Sequence, residues 1–285
     1  MAPPKLWSST AGAAACASGA RQSPINIAAN DVLADCPAVA VADVAIQVAP
    51  MAIEFFPAAC TFGELVIEPS VKNWEVQFTG CAAKPHIEVS ARTASEGGAG
   101  ADCRRFHFHS VSEHVIGGGY YDGELHMVHA NADKSKYIVI GVMLAANGNL
   151  RDNTEVQNYW ARLAVKAQEL VAPPAAGATE KPVDQKELGS QDQEPVAADA
   201  DVADPYAMLP AGTEYYTYLG SLTTPPCTEA VTWVVMAEPV TVTQNEMRVF
   251  RESMAKAHGS LVDQSGSNSR PPQPLNTRHI SLCTL

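Results

Sequence analysis

Phe106-His107-Phe108-His109-Ser110-Val111-Ser112-Glu113-His114, followed by Glu124-Leu125-His126-Met127-Val128-His129, decides how this chain is read. Strand residues two apart point to the same face. His107 and His109 therefore present two imidazoles side by side. A third imidazole from a neighbouring strand completes a three-histidine metal site with an open fourth position, which suits catalytic zinc. His126 is the candidate, and Gly117-Gly118-Gly119 marks the connection. Glu124, two residues before His126, can accept from the other imidazole nitrogen. His114 and His129 fall out of step with the ligand candidates and are expected to hydrogen-bond in the core or the site wall.

Outward from these stretches the pattern is mostly β. Residues 44–48, 74–78 and 87–89 alternate apolar and polar, and 64–67 is a short apolar run. Residues 104–112, 124–130 and 136–144 follow as strands. The last is nearly all apolar, which predicts a central strand covered on both faces. Two amphipathic helices are expected over 153–170 and 243–256, the second opened by a capping box of Thr243 and Glu246. Residues 172–204 lack aromatics; from Glu180 to Asp204 they carry eight acidic residues and two lysines, a net of −6. They read as an acidic surface insertion in a single domain spanning residues 1–285.

That stretch supplies half of the net charge of −12, set by 19 Lys plus Arg against 31 Asp plus Glu. The acidic balance excludes a nucleic-acid partner, which needs a basic footprint. No apolar run of ~18 residues exists, so no membrane span is expected. The 285 residues are 46% hydrophobic and 18% charged, enough to bury a core without staples. Seven dispersed cysteines fit oxidised bridges better than a zinc ribbon. They point to an extracellular or another oxidising compartment, although no signal peptide is visible at the start. Being odd in number, at least one stays free or pairs between chains.

Further motifs carry a resemblance. Gln22-Ser23-Pro24-Ile25-Asn26-Ile27, the two histidine stretches, Tyr216-Thr217-Tyr218-Leu219-Gly220-Ser221-Leu222-Thr223-Thr224-Pro225-Pro226-Cys227, Val231-Thr232-Trp233 and Asn268-Ser269-Arg270-Pro271-Pro272-Gln273-Pro274-Leu275-Asn276 occur in order. Together they resemble the α-type carbonic anhydrases. The marine-algal carbonic anhydrases set apart as a distant α-like class fit the same motifs. The resemblance implies a mixed α+β fold: one domain on a large twisted, mostly antiparallel sheet with peripheral helices. It implies Zn2+ held by His107, His109 and His126, with Glu124 behind His126. It further implies reversible hydration of carbon dioxide to bicarbonate and a proton by a zinc-bound hydroxide. Thr223 would be the gatekeeper, oriented by Glu113. Thr224 would line the substrate side, and Val128, Val139, Leu222, Val231 and Trp233 the apolar wall. Cys16 and Cys227 fall close to a pair that is bridged in secreted members.

Two departures stand out. Efficient members place a proton-shuttle histidine in a strand before the metal strands; Val71-Lys72-Asn73-Trp74-Glu75-Val76-Gln77-Phe78 has none. Lys72, with an ordinary pKa of ~10.4, is a poor substitute at neutral pH. Arg105 stands where members carry a neutral amide that orients the first ligand, and arginine cannot accept a hydrogen bond. Two other readings compete. A catalytically weak relative acting as a binding protein typically lacks a zinc histidine, and all three remain here. His-x-His-x-x-x-Glu followed by glycines also resembles the first cupin motif, which would make His107, His109 and Glu113 ligands. The second cupin motif, with its Pro-x-Gly, is missing.

Overall fold

The structure is a computed structural model. It describes residues 12–33, 51–56, 60–68, 73–79, 86–91, 99–146, 202–203, 205–258, 267 and 269–285. The strands are β1 (Asn26–Ile27), β2 (Val32–Leu33), β3 (Met51–Phe56), β4 (Cys60–Glu68), β5 (Asn73–Thr79), β6 (His86–Ala91), β7 (Ala99–His109), β8 (Val115–Ile116), β9 (Gly123–Ala130), β10 (Tyr137–Ala146), β11 (Val202–Ala203), β12 (Glu214–Gly220), β13 (Val231–Met236), β14 (Val240–Val242) and β15 (Ile280–Thr284). The helices are α1 (Ala15–Ser18) and α2 (Gln244–His258).

Among the described residues, thirteen strands form one sheet whose main path runs β11-β4-β5-β7-β9-β10-β13-β12-β15-β2. Most pairings are antiparallel; β10 with β13, β10 with β14 and β15 with β2 are parallel. The expected mostly antiparallel sheet is therefore present. Its centre is β10, where Ile138, Val139, Ile140 and Val142 supply β-branched residues that suit a pleated, buried surface. The middle six residues of β10 are buried.

Alternation divides the sheet into two faces. On one, Phe106, Phe108, Leu125, Met127, Ile140 and Val142 form a core closed by α2. Phe108 meets Phe250 edge-to-face at 6.0 Å. The other face carries His107, His109 and His126, with Val128, Val139, Val231, Trp233 and Val235 packed together. The capping box of α2 is present: Thr243 N donates to Glu246 Oε2 at 2.9 Å, and Glu246 N to Thr243 Oγ1 at 3.2 Å.

Two expectations shift. The strand expected over 104–112 ends at His109, because Ser110–His114 leaves the sheet to bond side chains beneath it. The residues from Val115 regain pairing only as β8, a short parallel partner of β1. The end of the 172–204 stretch, Val202–Ala203, is an edge strand on β4. The remainder of that stretch, the strand at 44–48 and the helix at 153–170 lie outside the described residues. Between β8 and β9, Gly117 and Gly118 take positive φ of 59° and 84°, a conformation that favours glycine.

Candidate metal centre

Register builds the site. His107 pairs directly with His126 across β7 and β9, and His109 pairs with Glu124. Directly opposite residues of an antiparallel pair share a face with Cβ atoms about 4.5–5.5 Å apart. The ring centroids lie 5.0 Å apart for His107–His109, 5.1 Å for His107–His126 and 4.5 Å for His109–His126. One nitrogen from each falls within 4.8 Å of the others, and all three residues are buried. His107 Nε2 faces His126 Nδ1 at 3.3 Å.

Glu124 collects four donors. Oε1 accepts from His126 Nε2 at 2.8 Å and His114 Nδ1 at 2.7 Å; Oε2 accepts from the N–H of Glu113 at 2.8 Å and of His114 at 2.7 Å. Burial alone raises its pKa, but the two imidazoles and their hydrogen bonds outweigh burial and hold Glu124 well below the ordinary range. Gly141 makes room for this: a Cβ there would lie 2.9 Å from Glu124 Oε1. His114 and His126 share Glu124 in a second possible donor trio. In that trio the carboxylate already serves as a hydrogen-bond acceptor.

The expectation for His114 and His129 holds. His114 Nε2 lies 2.7 Å from the Tyr218 hydroxyl, which lies 2.9 Å from Ser23 Oγ. His129, on the opposite face of β9, bonds the Tyr206 hydroxyl at 3.0 Å and stacks on its ring. Burial pushes His129 down to about 4.

Burial also favours the neutral form of two ligand candidates, His109 and His126. It lowers His109 well below its usual value, assisted by His126, and lowers His126 against the opposing pull of Glu124. Neither ring nitrogen of His109 has a hydrogen-bond partner, although both are buried. His109 Nδ1 stands 3.5 Å from Glu113 Oε1. Such an orphaned pair of nitrogens is costly, and a metal ion relieves that cost. The donor set, three imidazoles, fits zinc.

Opposite the sheet, Glu113 lies fully buried. Its Oε1 accepts from the Arg270 N–H at 2.8 Å. Burial pushes its pKa up to about 8, with Glu124 adding to the rise; the Arg270 N–H, the Thr223 hydroxyl and the Arg270 charge oppose it. Glu113 Oε2 has no partner at full hydrogen-bond geometry. The Thr223 loop is tied down on both sides. Cys227 is disulfide-bonded to Cys16. Ser221 N donates to Ser23 Oγ at 3.1 Å, Ser23 N to Ser221 Oγ at 2.9 Å, and Trp233 Nε1 to the Ser221 carbonyl at 3.1 Å. Arg270 joins these pieces, donating to Gln22 Oε1, the Ser23 carbonyl and the Cys16 carbonyl at 3.0, 2.7 and 2.9 Å. Val128, Val139, Val231 and Trp233 are buried beside the histidines, with Leu222 packed against them; Thr224 is half-buried. Lys72 and the side chains of Glu75 and Arg105 lie outside the described residues.

The motif residues therefore converge from both ends of the chain, and the family model for eukaryotic-type carbonic anhydrase matches residues 2–284. The chain belongs to the eukaryotic-type carbonic anhydrase family. It is 30% identical over 278 residues to the mitochondrial carbonic anhydrase 5A of Homo sapiens, covering 92% of this chain and 76% of that one. A carbonic anhydrase of Klebsiella pneumoniae is 32% identical over 177 residues, 62% of this chain and 56% of the relative. Among solved structures, the α-carbonic anhydrase of Thermovibrio ammonificans bound to sulfanilamide aligns with a TM-score of 0.64 at 25% identity, covering 98% and 94% of the two chains. Membership in the carbonic anhydrases disposes of the cupin reading. Among the described residues no helix is long and apolar enough to cross a membrane.

Sequence reasoning did not assign roles to Arg270, Tyr218, Ser23 or Gly141. The first three lie inside quoted motifs, so the motifs themselves were the signal. Gly141 was the one small residue in an apolar run.

Proposed function

We propose that this chain is a zinc enzyme that reversibly hydrates carbon dioxide to bicarbonate and a proton. The observation that carries the reading is His109, buried and neutral among converging imidazoles with neither nitrogen hydrogen-bonded. His107, His109 and His126 would hold the ion. Bound by neutral ligands, zinc acts as a Lewis acid and brings the pKa of its water to ~7.

The chain's own residues supply the rest. Glu124 accepts the Nε2 proton of His126, fixing its tautomer with Nδ1 free toward the site. Thr223 points its proton at Glu113, so its oxygen lone pair faces the site and favours a group that can donate there. The positive charge of the ion opposes the burial that raises Glu113. Val128, Val139, Leu222, Val231 and Trp233 form an apolar wall, with Thr224 beside it, suited to a small linear nonpolar substrate. Residues 71–78 lack a histidine, so proton export relies on buffer. We read residues 1–285 as one domain carrying the acidic stretch 172–204. The Cys16–Cys227 bridge, with Cys283 also disulfide-bonded, supports an extracellular or other oxidising compartment.

Rapid-mixing hydration assays at known zinc content test this. Activity that tracks zinc and climbs with imidazole-type buffer is the expected result. A fast rate independent of buffer overturns the shuttle-poor reading. Stoichiometric zinc without hydration would mark a binding protein.

A further inference from the structure

Arg270 makes two kinds of contact at once. Its backbone N–H donates to Glu113 Oε1 at 2.8 Å. Its guanidinium donates to Gln22 Oε1 at 3.0 Å, the Ser23 carbonyl at 2.7 Å and the Cys16 carbonyl at 2.9 Å. The residue is 4% exposed, and a charge buried that deeply must be paired and hydrogen-bonded. Residues 269–275 belong to no strand or helix. Hydrogen bonds outside any ladder therefore fix where the Arg270 N–H lies: the Arg270 fork itself, Ser269 Oγ to the Val111 carbonyl, and Gln273 N to the Pro24 carbonyl at 2.7 Å.

The three acceptors of the guanidinium share a second property: each of these residues is bound to the loop that carries Thr223. Cys16 is bridged to Cys227. Gln22 Nε2 donates to the Cys227 carbonyl at 3.1 Å. Ser23 exchanges two hydrogen bonds with Ser221, at 2.9 and 3.1 Å. Ser221 and Cys227 stand on either side of Thr223. Arg270 therefore grips Glu113 with its main chain and, through three intermediaries, both ends of the Thr223 loop with its side chain. The circuit closes where the Thr223 hydroxyl meets Glu113.

We propose that Arg270 is the positioning residue for the Glu113–Thr223 pair, setting the distance and angle between carboxylate and hydroxyl by bracing the Glu113 side chain against the Thr223 loop. The inference rests on the zinc reading, in which Thr223, oriented by Glu113, favours a group that can donate to its oxygen. Arginine is the residue this brace needs. Its planar guanidinium presents donors in a fixed fork that meets several acceptors at once, which the point charge of a lysine cannot reproduce. His107, His109 and His126 are placed by strand register, so loosening the brace should leave zinc where it is.

The test is a double-mutant cycle on carbon dioxide hydration by the zinc-loaded full chain, with zinc content and thermal melting measured alongside. Arg270→Met removes the fork and keeps the backbone N–H. It should lower kcat/KM about 10- to 100-fold, the scale of a small misplacement at a reacting centre, with zinc still stoichiometric. In a Thr223→Ala background the same change should cost little more, because the group it positions is already gone. Arg270→Lys should recover part of the loss. Losses that multiply across the two positions would mark a merely structural role and overturn the inference, as would full activity in Arg270→Met. Should Arg270→Met fail to fold, the same cycle with Arg270→Lys decides: no loss, or an equal fractional loss in both backgrounds, refutes the role. Wild-type protein that takes up no zinc, or takes it up and hydrates nothing, would instead sink the zinc reading itself.

Discussion

The two walls of the site are built on different principles. The sheet wall, from β7, β9, β10 and β13, places His107, His109, Glu124 and His126 by strand pairing alone. Neighbouring backbone bonds hold each of these residues in register, so the placement is local and redundant. The opposite wall carries Glu113 and Thr223 on loops. It is stitched from residues far apart in the chain: Cys16 to Cys227, Ser23 to Ser221 and Arg270 to Glu113. Under the proposed zinc reading, holding the ion and orienting its chemistry would be separable. The first would belong to the sheet, the second to contacts between the chain's ends.

His109→Ala should abolish stoichiometric zinc, read by metal analysis, since it removes the central donor. Thr223→Ala should leave zinc content unchanged and cut hydration by about 10²-fold, the scale of losing one oriented polar group at a reacting centre. Equal losses of zinc and activity would show that the walls are not separable. Glu124→Ala should weaken zinc about 10- to 100-fold and lower the melting temperature, because it strands four donors. Replacing Cys16 and Cys227 by serine should cost about 2–5 kcal/mol of stability and lower turnover, with zinc affinity close to wild type.

The smallest effect lies on the far face. His129 is held down at about 4, against ~6.5 for an unfolded histidine. The unfolded chain therefore takes up the proton first as pH falls. The stability this group contributes is complete above ~6.5, declines through the window and is gone by ~4, about 3 kcal/mol in all. Denaturation midpoints across that range should flatten in His129→Gln.

The sheet wall was legible in the sequence because parity is a local property. His-x-His and Glu-x-His each declare one face, and the apolar run 137–144 declares the central strand. Register between strands is not local, so the pairing of Glu75 with His107 needed the structure. The loop wall was legible only as motifs. Nothing in Asn268–Asn276 says that the Arg270 N–H meets Glu113 while its guanidinium spans three residues near the other end, because those contacts join positions more than 150 residues apart. Cys283 could not be placed from spacing alone, for the same reason.

The three imidazoles gathered by register are proposed as the zinc site of a hydration enzyme. The most direct test adds zinc in steps to metal-stripped wild-type protein while carbon dioxide hydration is followed. The predicted result is activity that rises in proportion and stops at one equivalent, with none in His109→Ala. One equivalent of zinc taken up without hydration, or activity undiminished in His109→Ala, would contradict it.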